Sequence, residues 1–202
     1  MITLYDFPLS GNAYRVRLFL SILGLDYQNE QINLGTGQHK EEGYMKLNPL
    51  GQVPTLEDDG EVIRDSCAIL IYLSDKYDSS GTWNGKTAIE KAHIQEWLSI
   101  AIREMILGPA FARAVKVFGR PFDIEEAQTM SHRLFTDVME PHLQQNQWLA
   151  ASRPTIADIA NYVYVAVCDE GDISLDAYPN ITRWLRDVEA LSGFVAMPRA
   201  DN

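Results

Sequence analysis

Hydrophobic and polar positions follow two rhythms along this chain, and the change from one to the other marks its organisation. Residues 2–7 form a short β-prone run closed by Pro8, with Ser10-Gly11-Asn12 as turn chemistry behind it. From Ala13 onward, Val16, Leu18, Phe19, Leu20, Ile22 and Leu23 follow the spacing of a mostly buried helix, and Gly24 suits its stop. Residues 27–34 read as a second strand, and GTGQHKEEGYMKLNP as a loop holding an irregular helix. Residues 55–56 and 62–63 are short strands around Asp58-Asp59-Gly60, a good hairpin turn. Asp65-Ser66 caps the next helix, in which Ala68, Ile69, Ile71, Tyr72 and Leu73 recur at helical spacing toward Tyr77.

The order β-α-β-α-β-β-α describes an α/β thioredoxin-like domain over residues 1–78. A polar, Gly-containing stretch, DSSGTWNGKT, supplies a linker at 79–86. Beyond it only helical patterns recur, over roughly 86–118, 123–146, 155–169 and 180–191, so residues 87–202 are expected to form an all-α domain. Thr155-Ile-Ala-Asp158 after Pro154 has the form of a capping box with Asp in place of Glu.

Composition narrows the function. The 202 residues are 46% hydrophobic and 22% charged, ordinary for a soluble globular protein. A net charge of -11 removes the driving force for nonspecific nucleic-acid binding. No apolar run approaches the ~20 residues that cross a bilayer, so no membrane partner is expected. MITLYDFPLSG lacks the layout of a signal peptide, and Cys67 and Cys168 belong to no CxxC or Cys/His cluster. A cytoplasmic protein without a metal site is the expectation.

In a thioredoxin-like layout the first strand-to-helix turn carries the chemistry, normally through a CxxC pair. Here that turn reads PLSGN, without cysteine. It offers a hydroxyl at a positive helix end, suited to holding the thiolate of a soluble ligand. Further on, Val53-Pro54 interrupts a strand, where proline is tolerated at a strand start. By themselves Pro54 reads as an edge-strand start, Asp65-Ser66 as an ordinary cap, and GQHK as surface charge.

Three stretches together resemble cytosolic glutathione S-transferases. NPLGQVPTLEDDGEVIRDSCAILIYL is similar to their glutathione-binding signature, LYDFPLSGNAYRVRLFL to their first strand and helix, and RPTIADIANYVY to a core helix of their α domain. The resemblance implies a cis bond before Pro54, leaving the backbone of Val53 free to pair with the cysteinyl part of glutathione. It implies that Ser66 and Asp65 take the γ-glutamyl end, the first by its N–H and hydroxyl, the second by accepting the ammonium. His39 and Lys40 resemble glycyl-carboxylate ligands of the theta-like branch, with Gln52 beside them. Ser10 matches the serine of theta and delta classes and is the expected thiolate donor, with Asn12 able to share or replace it. Tyr5 lies one place before the position of the catalytic tyrosine in other classes, so it should face the opposite way. The electrophile is expected between the domains, against Met105, Phe111, Arg113 and Phe118. The implied activity is conjugation of glutathione, as co-substrate, to small hydrophobic electrophiles by a homodimer. Glutathione-dependent reduction of disulfides or peroxides, and a non-catalytic adaptor role, stay open at this level.

Overall fold

A computed structural model describes residues 1–200. Its sheet has the order β2-β1-β3-β4, with β1 at Ile2–Asp6, β2 at Tyr27–Gln31, β3 at Thr55–Asp58 and β4 at Glu61–Arg64. β1 pairs in parallel with β2 and antiparallel with β3, which puts Leu4 opposite Leu56 at the centre of the sheet. Both side chains are fully buried, as alternation along a pleat requires. β2 is shorter than its hydrophobicity predicts. Ile32 still donates to the Asp6 carbonyl at 2.7 Å, but the Asn33 side chain then takes the Thr36 N–H and turns the chain away.

Helices α1 (Gly11–Ile22) and α3 (Ser66–Tyr77) pack together against the sheet, and the short α2 (Glu42–Leu47) lies between β2 and β3. Gly11 opens α1 where a Cβ would stand 2.6 Å from the Tyr164 ring. Only glycine lets α1 approach the second domain this closely.

That domain contains α4 (Ala88–Ile102), α5 (Phe111–Phe118), α6 (Ile124–Leu134), α7 (Glu140–Gln145), α8 (Ile156–Ala166) and α9 (Pro179–Glu189). The continuous helix predicted over 86–118 is broken. α4 ends at Ile102, and the chain passes through a wide π turn, Ile106–Ala110, before α5. Pro109 sits inside that turn, where its missing N–H and bulky ring disfavour regular α-helix. A second π turn, Phe135–Met139, divides the helix predicted over 123–146.

α8 is the central rod, buried along nearly its whole length. The predicted capping box forms at its start, between Thr155 and Asp158. Asp158 also accepts from Leu149 N at 3.0 Å and from Trp184 Nε1 at 2.9 Å, so one carboxylate joins α8, α9 and the preceding loop. One hydrophobic cluster runs from Leu4 and Leu56 through Phe19 and Leu70 to Trp97, Ile159 and Trp184, crossing both domains. Among the described residues no helix is long and apolar enough to cross a membrane.

Candidate active site

The turn between β1 and α1 places the Ser10 hydroxyl and the Asn12 amide at the start of the helix. Ser10 is the N-cap of α1, and its Oγ accepts the Ala13 N–H at 3.2 Å. Capping spends a lone pair and leaves the hydroxyl proton, which has no acceptor among the described residues. Asn12 Oδ1 accepts from Arg15 Nη1 at 2.8 Å and from the Tyr164 hydroxyl at 3.4 Å. Arginine only donates, so the Asn12 amide must turn its oxygen inward and keep its NH2 as the free edge.

Arg15 is a functional candidate that pattern reading passed over. It is 1% exposed, donates to Ser66 Oγ at 3.1 Å and to the Ala101 carbonyl at 2.9 Å, and lies over the Tyr164 ring. No described carboxylate lies within ion-pair distance of it, an unusual state for a buried cation. The signal was there to find: a charge at a position of α1 where helical spacing predicts burial, flanked by Tyr14 and Val16.

On one side of this turn a cavity of about 220 Å³ is bordered by Asn12, Gln52, Val53, Pro54, Asp65 and Ser66. The Val53-Pro54 bond is cis. The Gln52 carbonyl is held by Tyr44 Oη at 2.6 Å and Asn48 Nδ2 at 2.9 Å, which fastens the loop ahead of β3. Asp65 caps α3 through Oδ1, taking Cys67 N and Ala68 N at 2.9 and 3.0 Å. Its Oδ2 meets no donor among the described residues. Asp65 does this at φ 74°, a conformation that costs a non-glycine residue about 1–3 kcal/mol. Ser66 is buried at the first turn of α3, 3% exposed.

His39 and Lys40 lie in a short 3-10 turn, Gln38–Lys40. Lys40 Nζ donates to the Leu50 carbonyl at 3.0 Å. His39 Nδ1 is buried without a partner, and burial, helped by the positive charges of Lys40 and Arg120, holds its imidazole below the usual histidine range.

On the other side a larger cavity, about 490 Å³, is bordered by Phe7, Leu9, Ser10, Arg113, Phe118 and Tyr164, with Arg120 at its rim. Arg113 is buried. It pairs with Glu170 and donates to the Leu9 carbonyl at 2.9 Å, tying α5 to the first turn of the α/β domain. Two expected wall residues are not there. Met105 is fully buried in the core, and Phe111 turns away to stack on Phe122, their rings 3.8 Å apart. The cause is the π turn between them, since each residue added to a helix rotates its face by about 100°. Tyr5 points elsewhere, its hydroxyl donating to Glu57 at 3.2 Å.

Comparison with known proteins gives a consistent picture. Residues 1–75 match the glutathione S-transferase N-terminal domain, and residues 105–191 the glutathione S-transferase C-terminal domain. Glutathione S-transferase 3 of Zea mays is 29% identical over 96% of this chain and 91% of its own length. Among solved structures, a possible glutathione S-transferase from Rhodopseudomonas palustris is 32% identical, with a TM-score of 0.87 over 97% of each chain. A glutathione S-transferase from Pseudomonas fluorescens is 28% identical, with a TM-score of 0.90 over 97% of this chain and 98% of that one.

Proposed function

The chain belongs to the glutathione S-transferase family, and from that premise we propose that it joins the thiolate of glutathione to small hydrophobic electrophiles. The observation that carries this reading is the position of the α1 turn, with Asn12 bordering one cavity and Ser10 the other. A thiol held at the boundary reaches both sides.

The smaller cavity takes the tripeptide. Val53 pairs through its backbone with the cysteinyl residue, and Gln52 flanks the same chain. Ser66 at the start of α3 receives the γ-glutamyl carboxylate, and the unspent Oδ2 of Asp65 accepts the ammonium. His39 and Lys40 take the glycyl carboxylate. Ser10 then donates its free proton to the sulfur and stabilises the thiolate, as in the serine-using theta and delta classes, with the Asn12 amide as a second donor. The thiolate attacks the electrophile in the larger cavity. A carbon–sulfur bond forms, and the leaving group departs with its electron pair. The thiol proton goes to solvent. We take the cytoplasm as its place and a homodimer as its working form. The exposed side chains of Leu50, Val62 and Ile102 offer apolar area for a second copy.

Retention on immobilised glutathione, followed by turnover of an aryl halide, tests this reading. Failure to bind would sink it. Binding with hydroperoxide or disulfide reduction alone would reassign the same site to a reductase, and binding without turnover to an adaptor.

A further inference from the structure

We propose that the cavity beside Ser10 selects electrophiles bearing a carboxylate or comparable anionic group, with Arg120 as the recognising side chain. The inference rests on the transferase reading and names its substrate class.

The chain carries 28 acidic residues against 17 lysines and arginines, yet the charged side chains bordering this cavity are Arg113 and Arg120, with no carboxylate. Their charges are not equally available. Arg113 is neutralised by Glu170 and held by the Leu9 carbonyl, although its Nη2 is buried without an acceptor. Arg120 is exposed and forms no ion pair with any described residue. Its place is set by the backbone. Gly119 ends α5 at φ 61°, Gly119 N donates to Val115 O at 3.1 Å, and Arg120 N donates to Ala114 O at 3.2 Å. Pro121 follows and stiffens the exit. An arginine on a fixed turn recognises a planar anion at less entropic cost than one on a loose loop.

The remaining wall suits the body of such a ligand. Phe7, Leu9, Phe118 and Tyr164 are apolar or aromatic, and the volume fits one substituted ring. An electrophile with an anionic end would be repelled by the thiolate it must approach. A cation at the rim offsets that repulsion and turns the reactive carbon toward Ser10. His39 and Lys40 do not border this cavity, and the transferase reading gives them to the glycyl carboxylate of glutathione. Arg120 is the cation left over.

The test compares a chlorodinitrobenzoate with its methyl ester, each rate divided by the uncatalysed rate with glutathione at the same pH. With both, thiolate attack forms the carbon–sulfur bond and expels chloride with the bonding pair. The wild-type protein should favour the acid in kcat/KM by about tenfold or more, the discrimination expected of one charge-assisted contact. Arg120→Gln should lower the acid about tenfold more than the ester. Arg120→Lys, which keeps the charge but not the fork, should retain part of the preference. Equal turnover of acid and ester by the wild-type protein overturns the inference while leaving the transferase reading intact. So does an Arg120→Gln variant that loses both equally while its KM for glutathione rises, since Arg120 would then hold the glycyl end. Turnover of neither compound overturns the inference together with the reading beneath it.

Discussion

Ser10 and Asn12 differ in what their neighbours leave them. Ser10 spends a lone pair on Ala13 N and keeps its proton, while Asn12 spends its oxygen on Arg15 and Tyr164 and keeps its NH2. Both remainders are donors, so both favour an anion. Ser10→Ala should raise the pKa of the bound glutathione thiol by roughly one to two units, the worth of one hydrogen bond to a charged group. Thiolate absorbance followed against pH measures it, and an unchanged titration would leave Ser10 as a cap only. Asn12→Asp probes the charge beneath. The new carboxylate would pair with Arg15, cancel its field and repel the sulfur, so the thiol pKa should rise although Arg15 stays satisfied. Ser10 was legible as a candidate because turn chemistry is local. Arg15 was legible only as a charge at a buried helical position; its role was not, because that depends on Ser66 and Ala101, which lie far away in the chain.

At the scale of elements, the start of α8 and the start of α4 are held by different chemistry. Asp158 takes three N–H groups, from Leu149, Thr155 and Trp184, in a site where burial pushes its carboxyl upward. Asp158→Ala strands those donors and should cost about 3 kcal/mol or more in urea unfolding. Glu90, in the first turn of α4, accepts from Arg153 at 3.0 and 2.9 Å and from Lys86 N at 2.8 Å. Its pairing with Arg153 holds the carboxyl at about 2, below the ordinary 4.5. The folded value lies below the unfolded one, so this contribution is complete above pH 4.5 and is lost as pH falls toward 2. Glu90→Gln should therefore flatten the acid limb of stability in that interval, measured by denaturant titration at a series of pH values. Helix starts were readable because caps are short motifs. The π turn at Ile106–Ala110 carried one local sign, Pro109, inside an apolar pattern that continues across residues 86–118 and masks it.

At the scale of the whole molecule, the core does not stop at the linker. Phe19 of α1 meets Trp83 of the linker edge-on at 5.2 Å. Arg15 reaches the Ala101 carbonyl, Tyr14 the Val195 carbonyl, and Arg113 the Leu9 carbonyl. Heating should give one transition, with tryptophan fluorescence and far-UV circular dichroism coinciding. Glutathione should raise its midpoint in proportion to the logarithm of its concentration. Two separated transitions would show that the domains unfold independently.

Periodicity, turn residues and caps determined the two-domain order and the strand-led turn with its hydroxyl. They also marked the hairpin between Val53-Pro54 and Asp65-Ser66 as a unit. Each of these is settled by residues a few positions apart, where propensity and hydrogen-bonding chemistry act directly. Tertiary structure decided the rest. It buried Met105 and turned Phe111 outward, put Arg15 beneath Asn12, and brought Arg120 to the cavity that Ser10 borders. Such outcomes depend on helix rotation and on which distant groups share a volume, and one-dimensional spacing carries neither.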